Sequence, residues 1–146
     1  MLNFKFSIIL LLLALCVIQS CSTSKLSPID YKGDQIHFGQ GGGFTGNVNY
    51  YVILEDGRLF QKQAKDTSFS HLTTWKKNFT NQIFTDYHQF ELDSFTHSEP
   101  GNLYYFVEMH NDGKIHRSVW GKPGFNPPQK LVDFYNILYK STTPKS

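Results

Sequence analysis

Two Asp-Gly pairs constrain this chain more than any other feature. Asp56-Gly57 and Asp112-Gly113 each interrupt a run dense in β-branched and aromatic residues. The first run, Asn47 to Leu54, meets Glu55-Asp56-Gly57 and returns as Arg58 to Lys62. The second, Leu103 to His110, meets Asn111-Asp112-Gly113 and returns as Lys114 to Trp120. Asp-Gly between such runs is a strong hairpin signal, because glycine accepts the positive φ that tight β-turns require. Gln35 to Phe38 adds a short strand ahead of them. The period then changes. Trp75, Phe79, Ile83 and Tyr87 recur every four residues and predict a helix over Thr73–Phe90, with Thr73 or Thr74 as N-cap. A final helix is predicted with Asn126 as cap, Pro127 at its first position and Leu131, Phe134, Tyr135 and Leu138 along one face. The order β-ββα-ββα makes this an α+β chain, an antiparallel sheet of about five strands with two helices packed on one face.

The register of the second hairpin follows from its turn. A three-residue loop, Asn111 to Gly113, pairs His110 with Lys114. It places Leu103, Tyr105, Val107, Met109, Ile115 and Val119 on one face and Glu108, His110, Lys114, His116 and Ser118 on the other. A two-residue Asp112-Gly113 loop would shift the pairing by one position and mix the faces, so the longer loop is expected. Glu108 then opposes His116, and Arg117 falls on the apolar face, unexplained unless that end of the strand reaches solvent. A sparse echo links the hairpins: Gly46-Asn47, Tyr50-Tyr51 and Asp56-Gly57 recur as Gly101-Asn102, Tyr104-Tyr105 and Asp112-Gly113. So few identities fit either duplication or chance.

The front of the chain reads as an export signal. Lys5 precedes an unbroken apolar run from Ile8 to Ile18. As a helix this run spans roughly 16 Å, about half of a bilayer core. It is an h-region rather than a membrane span. Ile18-Gln19-Ser20-Cys21 resembles the bacterial lipobox, which implies cleavage before Cys21 and a lipid on its sulfur. Cys16 follows the bulky Leu15 and fits the pattern less well. Removing the first 20 of 146 residues leaves 126, with Cys21 as the one remaining cysteine. No intramolecular disulfide is then available, and the body must hold together by packing alone. Eleven of the thirteen Phe and all eight Tyr lie in that body and supply the bulk for it. The expected organisation is a signal peptide over 1–20, the lipidated cysteine and a flexible tether over 21–33, one α+β domain over 34–140 and a polar tail over 141–146.

Between the first two strands lies "GQGGGFTGNV". Gly41, Gly42, Gly43 and Gly46 satisfy G-x-G-x-x-G, and Val48 extends the match to the kinase glycine loop. A dinucleotide site needs those glycines to open a helix, whose amides hold the pyrophosphate. Here they lead into a strand. A kinase needs V-A-I-K, H-R-D and D-F-G motifs, which this chain lacks. No nucleotide is expected. The glycines instead allow a tight connection with φ > 0 or close backbone approach. Phe44, the one large residue there, either plugs the core or stands out of the loop.

Other chemistry finds little support. After loss of Lys5, thirteen basic residues face twelve acidic ones without a basic cluster, which leaves nucleic acid without an electrostatic footprint. No thiol remains after lipidation, and G-x-S-x-G is absent. Glu91, Asp93 and Glu99 have nothing to fix their separation as a carboxylate pair. Of six histidines, His110 and His116 share a face with Glu108 in the register above, but no further ligand is visible, so neither metal nor cofactor is expected. Asn78-Phe79-Thr80 matches a glycosylation sequon inside a helix of a bacterial protein, and is read as chance. The candidate contact surface combines Phe44 with Trp120 and Phe125, whose Pro/Gly loop either tucks against the last helix or meets a partner.

"IHFGQGGGFTG", the Asp-Gly hairpin, "GNLYYFVE" and the closing "VWG…NPP" together resemble a group of small uncharacterised bacterial lipoproteins. The layout of strand, glycine loop, strand, helix, hairpin and helix is more distantly similar to emfourin-type inhibitors of thermolysin-like proteases. These resemblances imply no catalytic residues. The expectation is a non-enzymatic protein of the bacterial envelope, lipid-anchored, with the periplasmic face of the outer membrane favoured. It would bind a protein or peptide and could act as an inhibitor. The alternative is a structural or accessory lipoprotein without a small-molecule site.

Overall fold

A computed structural model describes residues 27–63 and 65–143. The signal segment and Cys21 lie outside the described residues. The sheet contains six strands: β1 (Gln35–Gly42), β2 (Val48–Leu54), β3 (Arg58–Gln63), β4 (Ser70–Thr74), β5 (Leu103–Asn111) and β6 (Lys114–Trp120). Their order is β4-β3-β2-β1-β5-β6, and every pairing is antiparallel. β1 is thus central, with one hairpin on each side. Two helices complete the α+β layout, α1 (Lys77–Gln89) and α2 (Gln129–Lys140).

Alternation along the strands separates two faces. Ile36 and Phe38 of β1, Tyr51 and Ile53 of β2, Leu59 of β3, Val107 and Met109 of β5 and Trp120 of β6 join one core. Both helices cover it, through Ile83 and Tyr87 of α1 and Leu131, Phe134, Tyr135 and Leu138 of α2. The other face holds a smaller apolar cluster, Val52, Leu54 and Phe60, against which Tyr31, Tyr50 and Phe69 pack. The chain enters along this second face: Pro28 is buried, and Gln35 donates to the Tyr31 carbonyl at 3.1 Å.

Four local expectations need correction. β4 is a strand that the sequence pattern conceals. Thr73 and Thr74 pair with Leu59 and Arg58 and so belong to the sheet, not to a helix start. α1 begins only at Lys77, after an extended Lys76 that offers no side-chain cap. The buried stripe of α1 is Thr80, Ile83 and Tyr87, while Phe79 lies partly exposed against Trp75. α2 starts after Pro128, not after Asn126. The physical reason is that Pro128 disfavours the helical region for Pro127 before it.

The second turn also differs. Asn111 pairs with Lys114, leaving a two-residue loop, Asp112-Gly113. Both residues have positive φ, 48° and 75°, the signature of a type I′ turn whose twist matches the strands. The register therefore moves by one residue. Glu108 faces Arg117, Met109 faces His116 and His110 faces Ile115. Arg117 thereby leaves the apolar face, which removes the anomaly in the three-residue reading.

Candidate functional site

The face away from the helices carries the polar chemistry. One transverse row runs Phe60, Val52, His37, Glu108, Arg117 across five strands. The next runs Leu54, Gln35, His110, Ile115. The β2–β3 side of these rows is apolar, whereas the β1–β5–β6 side is polar or ionisable except at Ile115. The division follows from strand alternation, since each of these residues sits two positions from another on the same face.

His37, Glu108 and Gln35 are buried, at 8%, 6% and 6% exposure, which is unusual for such groups in a sheet of this size. Every one is partnered. The His37 ring meets Tyr50 Oη at 2.8 Å through Nδ1 and Gln35 Oε1 at 3.1 Å through Nε2. The His110 ring stacks on it with centroids 4.0 Å apart and 8° between planes. His110 Nε2 also pairs with Glu108 Oε1. Arg117 Nη1 donates to Glu108 Oε2 at 2.8 Å, and its guanidinium lies 5.0 Å from the Phe106 ring centre.

The electrostatics follow from that packing. Burial, together with the nearby His110, holds the His37 imidazole down to about 3, so the ring is neutral at pH 7. For Glu108, burial pulls upward, but hydrogen bonds from His110 and Arg117 and the proximity of His37 outweigh it and keep the carboxyl below its ordinary value. Burial, reinforced by Glu108, pushes the Tyr50 hydroxyl up to about 12, so it remains a neutral hydrogen-bonding group. The result is a buried carboxylate balanced by one guanidinium beside two imidazoles. Above it opens a cleft of about 430 Å³ whose walls include Ile29, Tyr31, His37, Phe69, His110 and Ile115.

Gly39 makes this arrangement possible. It sits between Tyr50 and Phe106 in the sheet, and those two rings meet over it with centroids 5.1 Å apart. A Cβ there would come within 3.1 Å of Phe106 Cε1 and 2.0 Å of the Asn49 carbonyl. The glycine thus frees the space from which the Tyr50 hydroxyl reaches His37.

The glycine segment divides between strand and loop. Gly41 and Gly42 finish β1, while Gly43 and Gly46 belong to the connection to β2. Gly42, Gly43 and Gly46 have positive φ, and Gly42 packs against the Asn102 carbonyl. Gly42 N–H donates to Asn47 O at 3.2 Å and Gly43 N–H to Asn102 O at 2.7 Å, which fixes the base of the hairpin. Phe44 is not a core plug. It stands at the tip, fully in solvent at 107%.

The three aromatic contact candidates do not share one surface. Trp120 is buried in the helix-covered core, against Tyr105 and Tyr135 with ring centroids 5.9 and 5.4 Å away. Phe125 is half-buried, packed on that core and 5.5 Å from the His97 ring. Phe44 alone projects. The histidine pair read from the sequence also separates: His116 lies opposite Met109 on the helix-covered face, and His37, which the sequence did not single out, takes its place beside His110. Among the described residues, one donor atom from each of His37, Glu108 and His110 lies within 4.8 Å of the others.

Searches against family models and curated proteins found no match to this chain. No helix among the described residues is long and apolar enough to cross a membrane.

Proposed function

We propose that this chain is a non-enzymatic binding module of the bacterial envelope, lipid-anchored through Cys21, that engages a protein or peptide through the glycine hairpin. The observation that carries the reading is the complete exposure of Phe44 at the tip of a hairpin held at its base by backbone hydrogen bonds. An aromatic ring left wholly in water forgoes about 2–3 kcal/mol of burial. Seated in a partner's pocket it recovers that term, which is why rigidly presented aromatics serve as binding anchors. A neighbouring groove of about 540 Å³, lined by Gly46, Val48, Tyr50, Lys62, Gln63 and Phe69, gives an extended partner further contact.

Position supports the same reading. The chain enters β1 at Gln35, and β1 ends at Gly42, immediately before the hairpin. At about 3.3 Å per residue, the two ends stand some 23 Å apart. The hairpin therefore lies at the end of β1 opposite to the one at which the chain enters the sheet. The resemblance to emfourin-type proteins adds an inhibitor of thermolysin-like proteases as one form of this function.

The test is site-specific photocrosslinking in intact bacteria, with the photoreactive residue at position 44 and a control at the exposed Asp66. A discrete adduct at 44, absent at 66 and competed by unlabelled protein, supports the reading. Equal or absent crosslinking at both positions refutes the hairpin as the contact element. If the captured protein is a metalloprotease, titration of its activity with this protein decides the inhibitor form.

A further inference from the structure

We propose that His37, Glu108 and His110 form a binding site for a first-row divalent cation of the zinc class, on the sheet face away from the helices. The site is built into two adjacent interior strands, β1 and β5. His37 and Glu108 are direct cross-strand partners of β1 and β5. His110 lies two residues beyond Glu108, on the same face and diagonal to His37. Ladder pairing fixes all three Cα positions, so the ligands need little ordering when an ion enters. The donor atoms already cluster within 4.8 Å. Tetrahedral ligands at about 2.0–2.1 Å from a metal stand roughly 3.4 Å apart, and small side-chain rotations cover that difference.

The donor chemistry selects the ion. Two imidazoles and one carboxylate suit zinc and its first-row neighbours, whereas calcium and magnesium favour oxygen donors. The surroundings supply the outer layer that such a site requires. His37 has a partner at each nitrogen, Tyr50 Oη and Gln35 Oε1. An ion displaces one, and the other then holds the ring in its orientation. Arg117 binds Glu108 Oε2, while Oε1 pairs with His110 Nε2. An ion enters by replacing that last contact, bridging the same two atoms once His110 gives up its proton there. The cleft over His37 and His110 provides both an entry path and room for water at the open coordination position.

Arg117 also opposes the ion by its charge. Its side chain is 45% exposed, so the guanidinium can withdraw toward solvent while Glu108 turns to the metal. Its presence predicts an exchangeable site of moderate affinity rather than a permanent structural one. Without an ion, the same residues are simply an ion-pair network with a stacked histidine, and the experiment separates the two cases.

Full-length protein, purified in detergent and stripped with chelator, is titrated with Co(II) and then Zn(II). The expected result is one equivalent of cobalt with visible d–d bands of a four- or five-coordinate nitrogen/oxygen site, displaced by one equivalent of zinc. His110→Gln abolishes the bands, and Glu108→Gln does the same. Arg117→Gln strengthens zinc binding. His116→Ala and His71→Ala leave it unchanged, because those side chains lie outside the cluster. His110 is partly exposed, so His110→Gln carries the test even where a His37 variant fails to fold. Absence of a stoichiometric cobalt spectrum in the wild-type protein overturns the proposal. So does an unaltered spectrum in folded His110→Gln.

Discussion

Glu108 and Arg117 face each other across the β5–β6 ladder, joined by a 2.8 Å hydrogen bond between a buried carboxylate and a half-exposed guanidinium. That contact depends on the two-residue turn at Asp112-Gly113, because a one-residue slip would send Arg117 to the other face. A double-mutant cycle of Glu108→Gln and Arg117→Met is expected to give a coupling of about 1–2 kcal/mol in denaturant melts, discounted for the exposure of Arg117. A coupling near zero would mean that the two side chains stabilise the sheet independently.

The turn itself is testable. Gly113 has φ of 75°, and a Cβ there meets nothing within 4 Å, so the cost of Gly113→Ala is conformational rather than steric. It should lower stability by about 1 kcal/mol. Asp112→Asn, which keeps a residue tolerant of positive φ, should be neutral within about 0.5 kcal/mol.

The buried His37 makes stability fall on the acid side. Its folded-state value, about 3, lies below the ordinary 6.5. Between those values the unfolded chain takes up a proton that the folded one refuses, so stability declines as pH drops below 6.5 and is unaffected by this group above it. Glu108, held below its ordinary 4.5, adds a loss in the same direction at lower pH. Urea melts in chelator at pH 7, 5.5 and 4.5 should show the decline. His37→Gln should flatten its upper part.

Tyr135 presents a different case. Its hydroxyl is buried among aromatic rings and finds no hydrogen-bond partner among the described residues. Removing an unsatisfied buried hydroxyl removes its desolvation penalty. Tyr135→Phe is therefore expected to be neutral or to stabilise the protein by up to about 1 kcal/mol, read from the melting temperature.

Phe44 and Phe134 should behave as opposites. Phe134 is fully buried, and Phe134→Ala should cost about 3–5 kcal/mol. Phe44→Ser should change stability by no more than about 0.5 kcal/mol while weakening partner capture. Loss of both stability and capture in Phe44→Ser would place that ring in the fold rather than at a contact.

Much of the scaffold was legible from local chemistry. The two Asp-Gly hairpins, the apolar stripe of α2 and the α+β layout all follow from period and turn residues. β4 was not legible because an edge strand needs no buried alternation: Ser70, His71, Leu72 and Thr74 are all exposed. The candidate site was harder for a related reason. Whether Glu108 meets His116 or Arg117 depends on one residue of loop length, and a sequence containing Asn-Asp-Gly permits both turns. His37 carried no signal, since Glu108 and His110, which complete the cluster, come from a strand some seventy residues away. One sign was available: Arg117 on an apolar face was a conflict, and the shorter turn removes it by pairing Arg117 with Glu108.

The proposed lipid on Cys21, which would tie this body to a membrane, has a direct chemical readout. Metabolic labelling with an alkyne fatty acid, followed by membrane fractionation of wild-type and Cys21→Ser protein, tests it most directly. The prediction is labelled wild-type protein in the membrane fraction, and unlabelled Cys21→Ser protein that is released from it or retained only as uncleaved precursor. Mature wild-type protein that carries no label, or a Cys21→Ser variant that is labelled and cleaved as before, would contradict the account.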